Sequence, residues 1–318
     1  MAEADPAVAA AEEDVAADQA ESQAVVDLFA GYEMSAVDTE DITLRWPTQL
    51  IVFAGAEGSG KTTMLAALYE HLGRGSFAGF DFAGSQSLLG FEKICHANRV
   101  ISAGTRPTTE RTIPSDEAAY YHLALRETVG ERRRRQVLLS ALSGELYRWA
   151  RNSREECEKL TFLNRANAII VLVDGEKLAS LEQRVNAHAD AAGILDAFLD
   201  AKMVPSGSHV EFVFSKLDRI RAAGDSALAF LKQTQEKLET KFRARVPQLV
   251  FRELAARPGP SNEEEELSNG LATAFATWAV LQARVTDDGG QVRQPPSDAR
   301  EFSKFGWRRA EAGRREKP

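Results

Sequence analysis

The stretch "LIVFAGAEGSGKTTMLAALYEHLG", residues 50–73, constrains this chain more than any other. A short continuous apolar run, 50–55, is what a strand buried on both faces of a sheet requires. It leads directly into "GAEGSGKT", Gly55 to Thr62, which matches G-x-x-x-x-G-K-[ST] in full. Met64, Leu65, Leu68, Tyr69 and Leu72 then recur at helical spacing, and Gly73 is placed to end the helix. Strand, glycine loop and helix in this order form a phosphate cradle. Gly55, Gly58 and Gly60 let the backbone curl so that its N–H groups point inward, and the helix start adds partial positive charge. Lys61 is expected to reach the β- and γ-phosphates and the Thr62 hydroxyl to ligate Mg²⁺. Ser59 and Thr63 belong to the same cradle. So does Glu57, whose carboxylate either repels the outermost phosphate or turns to solvent.

Strand and helix patterns alternate beyond the loop. "AAYYHLALRE" (118–127) and "RRQVLLSAL" (134–142) read as two strands joined by a hairpin at "TVGERR". "ANAIIVLVDG" (166–175) is another buried strand, followed by a long helix over about 176–202. "HVEFVFSKLD" and "PQLVFRELAAR" are further strands, with helices over 225–243 and 263–284. The fold class this predicts is three-layer α/β. A mostly parallel sheet carries helices on both faces and contains one antiparallel strand, and ligands sit at the carboxyl ends of the strands.

The strand 209–218 ends in Ser-Lys-Leu-Asp, a variant of the [NT]-K-x-D guanine motif with Ser215 in the Asn/Thr place. Asp218 can accept two hydrogen bonds from the guanine N1–H and N2 amino group, donors that adenine lacks, so a carboxylate there rejects the wrong base. The stem of Lys216 can lie over the base plane. The next strand ends "ELAARP", where Ala255, Ala256 and Arg257 stand in the place of a short loop that contacts the guanine carbonyl.

In this order the motifs resemble those of P-loop GTPases of the translation-factor class, and specifically the double-GTPase family of bacterial conflict-type systems. The resemblance rests on "DFAGSQSLLGFEKICHANRVISAGTRPTTERT" (81–112), "SGE" (143–145) and the guanine motif, and covers about residues 49–285. It implies a bacterial cytoplasmic GTPase that binds GTP/GDP with Mg²⁺ and works beside another GTPase or an effector protein.

"SAGTRPTTERT" lies where a first switch belongs. A switch threonine gives its hydroxyl to Mg²⁺ and its N–H to the γ-phosphate, so Thr108 and Thr109 are metal candidates and Thr105 a third. Arg106, three residues before Thr109, has the spacing of an internal arginine finger. The second switch departs from the usual Asp-x-x-Gly. Gly144 is present, but Ala141 stands where the Mg²⁺-associated Asp belongs. Glu145 follows the glycine directly, in the place of a residue that orients attacking water. Binding is therefore expected while turnover stays open. The alternatives are a slow GTP-hydrolysing switch and a catalytically impaired pseudo-GTPase serving as a scaffold or partner subunit.

Charge defines the ends. Residues 1–41 hold 12 of the 47 acids and no Lys or Arg, leaving the rest of the chain with 35 acids against 39 basic residues. We expect an acidic disordered tail over 1–41, a GTPase domain over 42–285 and a basic disordered tail over 286–318. No apolar run reaches the roughly 18–20 residues of a membrane span. Arg132–Arg135 at the hairpin tip lack interleaved aromatics, so nucleic acid is not indicated. Cys95 and Cys157 have no metal-ligand spacing and read as reduced thiols.

Overall fold

The structure is a computed structural model, and it describes residues 31–101, 118–258 and 264–281. Helix α1 (Glu40–Thr43) precedes strand β1 (Thr48–Ala54), the phosphate loop and helix α2 (Lys61–Arg74). Then come β2 (Phe80–Gly84), α3 (Leu88–Ile101), β3 (Ala119–Glu127) and β4 (Arg134–Ala141). Two helices, α4 (Gly144–Asn152) and α5 (Arg154–Glu158), lead to β5 (Ala168–Val173). They are followed by α6 (Gly175–Ala179), α7 (Arg184–Asp200), β6 (His209–Phe214) and α8 (Leu217–Ala222). The described chain ends with α9 (Asp225–Phe242), β7 (Val250–Glu253) and α10 (Glu264–Trp278).

The seven strands form one sheet in the order β2-β3-β4-β1-β5-β6-β7. Every pairing is parallel except those of β3, which runs antiparallel to both β2 and β4. This is the expected mostly parallel sheet with one antiparallel strand. The apolar strands are shared between two cores because successive side chains face opposite sides of a sheet. Leu50, Val52 and Ala54 of β1 join one core, with Tyr147, Leu195, Phe198 and Phe242. Ile51 and Phe53 join the other, with Leu65, Leu68, Phe275 and Trp278.

Three elements differ from the sequence reading. Strand β2 was not foreseen, because it is five residues long at the sheet edge and buries only Phe80. The helix expected over 176–202 is two helices, since the chain turns between Ala179 and Arg184. Residues 31–43, assigned mostly to the acidic head, pack on the domain. Met34 and Tyr120 exchange backbone hydrogen bonds of 2.9 Å, and Met34 and Ile42 are buried. Residues 1–30 and 286–318 lie outside the described residues.

Helix α10 is keyed to the sheet by a buried carboxylate. Glu211 on β6 is fully buried and receives Nε of Arg252 at 2.6 Å and Nε1 of Trp278 at 2.9 Å, with His209 Nε2 at 2.8 Å. Burial works against its charge, but these donors outweigh it and hold its carboxyl below the usual range.

Candidate functional site

The phosphate loop sits between the end of β1 and the start of α2. Gly58 (φ +80°) and Gly60 (φ +98°) occupy the left-handed region, where a side chain would be strained. Gly55 is required for a different reason: a Cβ there would fall 2.6 Å from the Ser59 hydroxyl and 3.1 Å from Leu172. The buried Ser59 side chain therefore packs onto Gly55. Thr62 and Thr63 follow Lys61 in the first turn of α2.

Lys61 is buried, and its amine donates to the backbone oxygens of Gly55 (2.8 Å) and Ala56 (3.0 Å). Burial lowers its pKa to about 8 against the opposing pull of Glu57 and Asp174, while Lys177 pushes the same way as burial. The Lys61 ammonium also lies 5.8 Å from the ring centre of Tyr147. Tyr147, wholly buried, donates its hydroxyl to the Phe53 carbonyl at 3.0 Å and so braces the strand that feeds the loop. Burial raises its pKa, so it acts as a neutral donor.

Gly144 meets the loop from the other side. A Cβ on it would lie 2.2 Å from the Glu57 nitrogen and 2.5 Å from the Glu57 Cα, so only glycine lets the two backbones approach this closely. Ser143 caps α4 with its hydroxyl 3.4 Å from the Leu146 nitrogen, and Glu145 is in the first turn. β4 ends at Ala141, paired with Ala119 of β3, so the position of the absent aspartate is at a strand end beside β1.

The guanine motif is tied to this loop. The Ser215 hydroxyl lies 2.8 Å from the Ser59 carbonyl and 3.1 Å from the Val173 carbonyl. Lys216 takes the left-handed conformation (φ +53°) and caps α8. Its amine lies 2.9 Å from both Asp174 Oδ1 and Glu176 Oε2. Burial alone would lower the Lys216 pKa, but these two carboxylates raise it overall. Asp218 stands in the first turn of α8, mostly buried, with Arg219 Nε 3.7 Å away. The last strand is joined to the same place, because the Leu254 nitrogen donates to the Phe214 carbonyl and the Leu217 nitrogen to the Leu254 carbonyl. Ala255 is buried directly after, and Ala256 is partly buried. Arg257 instead pairs with Glu70 of α2 at 2.5 Å.

The structure thus gathers the loop residues 55–63, Gly144, Ser215, Lys216, Asp218 and Ala255 at the carboxyl ends of neighbouring strands. Thr105, Arg106, Thr108 and Thr109 lie outside the described residues. Sequence reasoning missed Asp174 and Tyr147. Asp174 is buried, accepts from the Glu176 nitrogen at 3.0 Å, and lies close enough to the loop that a Cβ on Gly58 would be 3.6 Å from its Oδ2. The "VDG" that ends β5 was a signal for it, since Gly175 admits a Cβ only at 2.0 Å from the Ser215 carbonyl.

No curated protein matches the chain. Among solved structures it is similar to Methanosarcina barkeri Roco2 RocCORdC bound to GDP, at 10% identity and a TM-score of 0.38. That match covers 81% of this chain and 54% of the other, so this chain spans about half the length of that one. A family model, Double-GTPase 2, matches residues 49–279, from the start of β1 to the end of α10, and so includes every strand and the loops just described. The chain belongs to the Double-GTPase 2 family, as a P-loop GTPase of the double-GTPase type.

Proposed function

We propose that this protein is a guanine-nucleotide switch with slow or partner-dependent GTP hydrolysis. The observation that carries the reading is the bond from Ser215 to Ser59, which ties the Ser-Lys-Leu-Asp strand end directly to the phosphate loop. In this reading Asp218 recognises the base, and Lys216, held by Asp174 and Glu176, lies along it. Lys61 and the loop N–H groups hold the phosphates. The Lys61 amine, which caps two loop carbonyls, exchanges these for phosphate oxygens when nucleotide enters. The donors present fit Mg²⁺, a hard cation that takes oxygen ligands. The Thr62 hydroxyl and the nucleotide's own phosphate oxygens would hold it, with Thr108 or Thr109 joining in the triphosphate state. When bound it neutralises phosphate charge. Glu145, beside Gly144, is the group that would orient water.

A second reading is favoured by Ala141: a pseudo-GTPase that binds GTP as a scaffold or partner subunit. In either case the domain works in the cytoplasm beside another GTPase or effector in a bacterial conflict or signalling system. Titration with GDP, GTP and ATP, beside a multiple-turnover phosphate-release assay, tests this. Tight GDP and GTP binding with measurable release supports the switch, and binding without release supports the scaffold. Equal affinity for ATP and GTP overturns both.

A further inference from the structure

The ring of His122 on β3 is buried, and both of its nitrogens are engaged. Nδ1 lies 3.0 Å from the backbone nitrogen of Gln86, and Nε2 lies 2.7 Å from Oε1 of Gln136 on β4. A backbone N–H can only donate, so Nδ1 accepts and carries no proton. The neutral ring then has its proton on Nε2, which donates to Gln136. Together the two bonds admit one protonation state and one tautomer. An imidazolium would set its Nδ1–H against the Gln86 N–H, donor against donor at 3.0 Å.

These bonds hold the turn that starts α3. The backbone nitrogen of His122 donates to the Ser87 hydroxyl at 2.7 Å, and the Ser87 carbonyl accepts from the Phe91 nitrogen in the first turn of the helix at 3.1 Å. The Ser85 hydroxyl closes the turn by accepting from the Ser87 nitrogen at 3.0 Å. One residue of β3 thus grips Gln86 with its ring and Ser87 with its backbone. From this turn the chain runs through α3 into residues 102–117, which lie outside the described residues, and returns as β3. His122 therefore joins the start of the helix that leads into that segment to the strand that leaves it.

The surroundings offer an imidazolium no help. From β4, Gln136 bonds the ring and Leu138 is its cross-strand partner. From the turn come Ser85, Gln86 and Ser87, and Tyr120 is its neighbour on the same face of β3. Tyr120 is the one titratable group among these, and burial pushes it up to about 12. Burial likewise lowers the pKa of His122 from its ordinary 6.5, and only the bond to Gln136 acts the other way.

We propose that His122 is a pH-sensitive latch: its neutral Nε2–H form holds the start of α3 to the sheet, and protonation releases it. The latch stands on these bonds alone and is independent of the nucleotide reading. Its sign follows from linkage. The unfolded chain takes up this proton at about 6.5 and the folded chain only below that value, so the contribution is whole above about pH 6.5 and is lost as pH falls below it.

The test uses the full chain, with nitrogen-15 NMR of the histidine rings and amide hydrogen exchange, corrected for intrinsic rates, across pH 5–8. The His122 signal is identified by its absence from His122→Gln. It should show the Nε2–H tautomer at neutral pH. As it protonates, the amides of residues 86–91 should lose about tenfold or more in protection while those of β5 keep theirs. His122→Gln, with one amide for two ring nitrogens, should leave 86–91 poorly protected at every pH. Gln136→Glu, which sets a carboxylate on Nε2, should move the release to higher pH. An Nδ1–H tautomer at neutral pH would overturn the latch. So would protection of 86–91 that persists after the ring is protonated, or that is lost together with β5. If His122→Gln does not fold, the ring is assigned through the signal that Gln136→Glu displaces, and the tautomer and the parent's pH series decide.

Discussion

The Ser215 hydroxyl lies 2.8 Å from the Ser59 carbonyl, a bond that spans 156 positions of sequence and ties the end of β6 to the phosphate loop. The usual guanine motif places Asn or Thr here, and Ser still supplies the one donor the loop requires. Ser215→Ala leaves the Ser59 carbonyl without this partner in a buried setting, which costs about 1–3 kcal/mol. Thermal unfolding should show that loss, and GDP titration should show an affinity reduced by about tenfold or more. An unchanged melting temperature together with unchanged GDP affinity would contradict the tether.

Lys61 gives two pH dependences of opposite sign. Its folded pKa is lowered to about 8, below its ordinary 10.5. The unfolded chain therefore holds more protons between these values, so this group's contribution to the stability of the nucleotide-free protein rises as pH climbs from about 8 toward 10.5. Phosphate binding needs the charged amine, so GDP affinity should fall as pH rises above about 8. Lys61→Ala should lose most affinity at neutral pH and abolish both trends. Melting temperatures and GDP titrations across pH 7–10 check the signs.

Asp218→Asn should weaken GTP and favour xanthosine triphosphate, whose base presents the complementary donor and acceptor pattern. The carboxylate is mostly buried, so replacing it by an amide reverses which base leaves it unpaired. Competition binding with GTP, XTP and ATP measures the switch. A variant that still preferred GTP would remove Asp218 from base recognition.

Gly144→Ala should be damaging although it adds one carbon. The new Cβ would overlap the Glu57 backbone at 2.2 Å, and backbone cannot move aside as a flexible side chain can. Overpacking of this kind costs about 1–3 kcal/mol. A lowered melting temperature and reduced preference for triphosphate over GDP are expected. A variant as stable as the parent would mean that α4 shifts freely on the loop.

Ala141→Asp tests the second switch. If Mg²⁺ positioning limits turnover, the added carboxylate should tighten Mg²⁺ dependence and raise hydrolysis by about tenfold, which is about 1.4 kcal/mol of barrier. A lower melting temperature with unchanged Mg²⁺ dependence would show instead that the strand end has diverged, since a buried unpaired carboxylate costs stability. That result would favour the scaffold reading.

The phosphate loop, the guanine motif and the alternation of strands and helices were legible in the sequence, because each is a local pattern. Loop glycines are dictated by backbone conformation within a few residues, and a two-faced strand shows as a continuous apolar run. The missed strand β2 has no such run, since an edge strand that buries one residue leaves little pattern. The break between α6 and α7 was hidden because apolar spacing continues across it.

What the sequence by itself determined was which groups are on offer: a glycine-rich loop with a lysine, a Ser-Lys-Leu-Asp strand end, and an alanine in place of an aspartate. Tertiary structure decided which groups act on one another. Asp174 reaches Lys216 because parallel strands β5 and β6 end side by side, 42 positions apart in sequence. Gly144 touches Glu57 because β4 and β1 are neighbours in the sheet. Arg151 is paired because Asp190 of α7, 39 positions on in sequence, packs beside α4. These contacts depend on strand order and helix placement, which local spacing does not encode, so the electrostatics of the site became readable only once the sheet had set its neighbours.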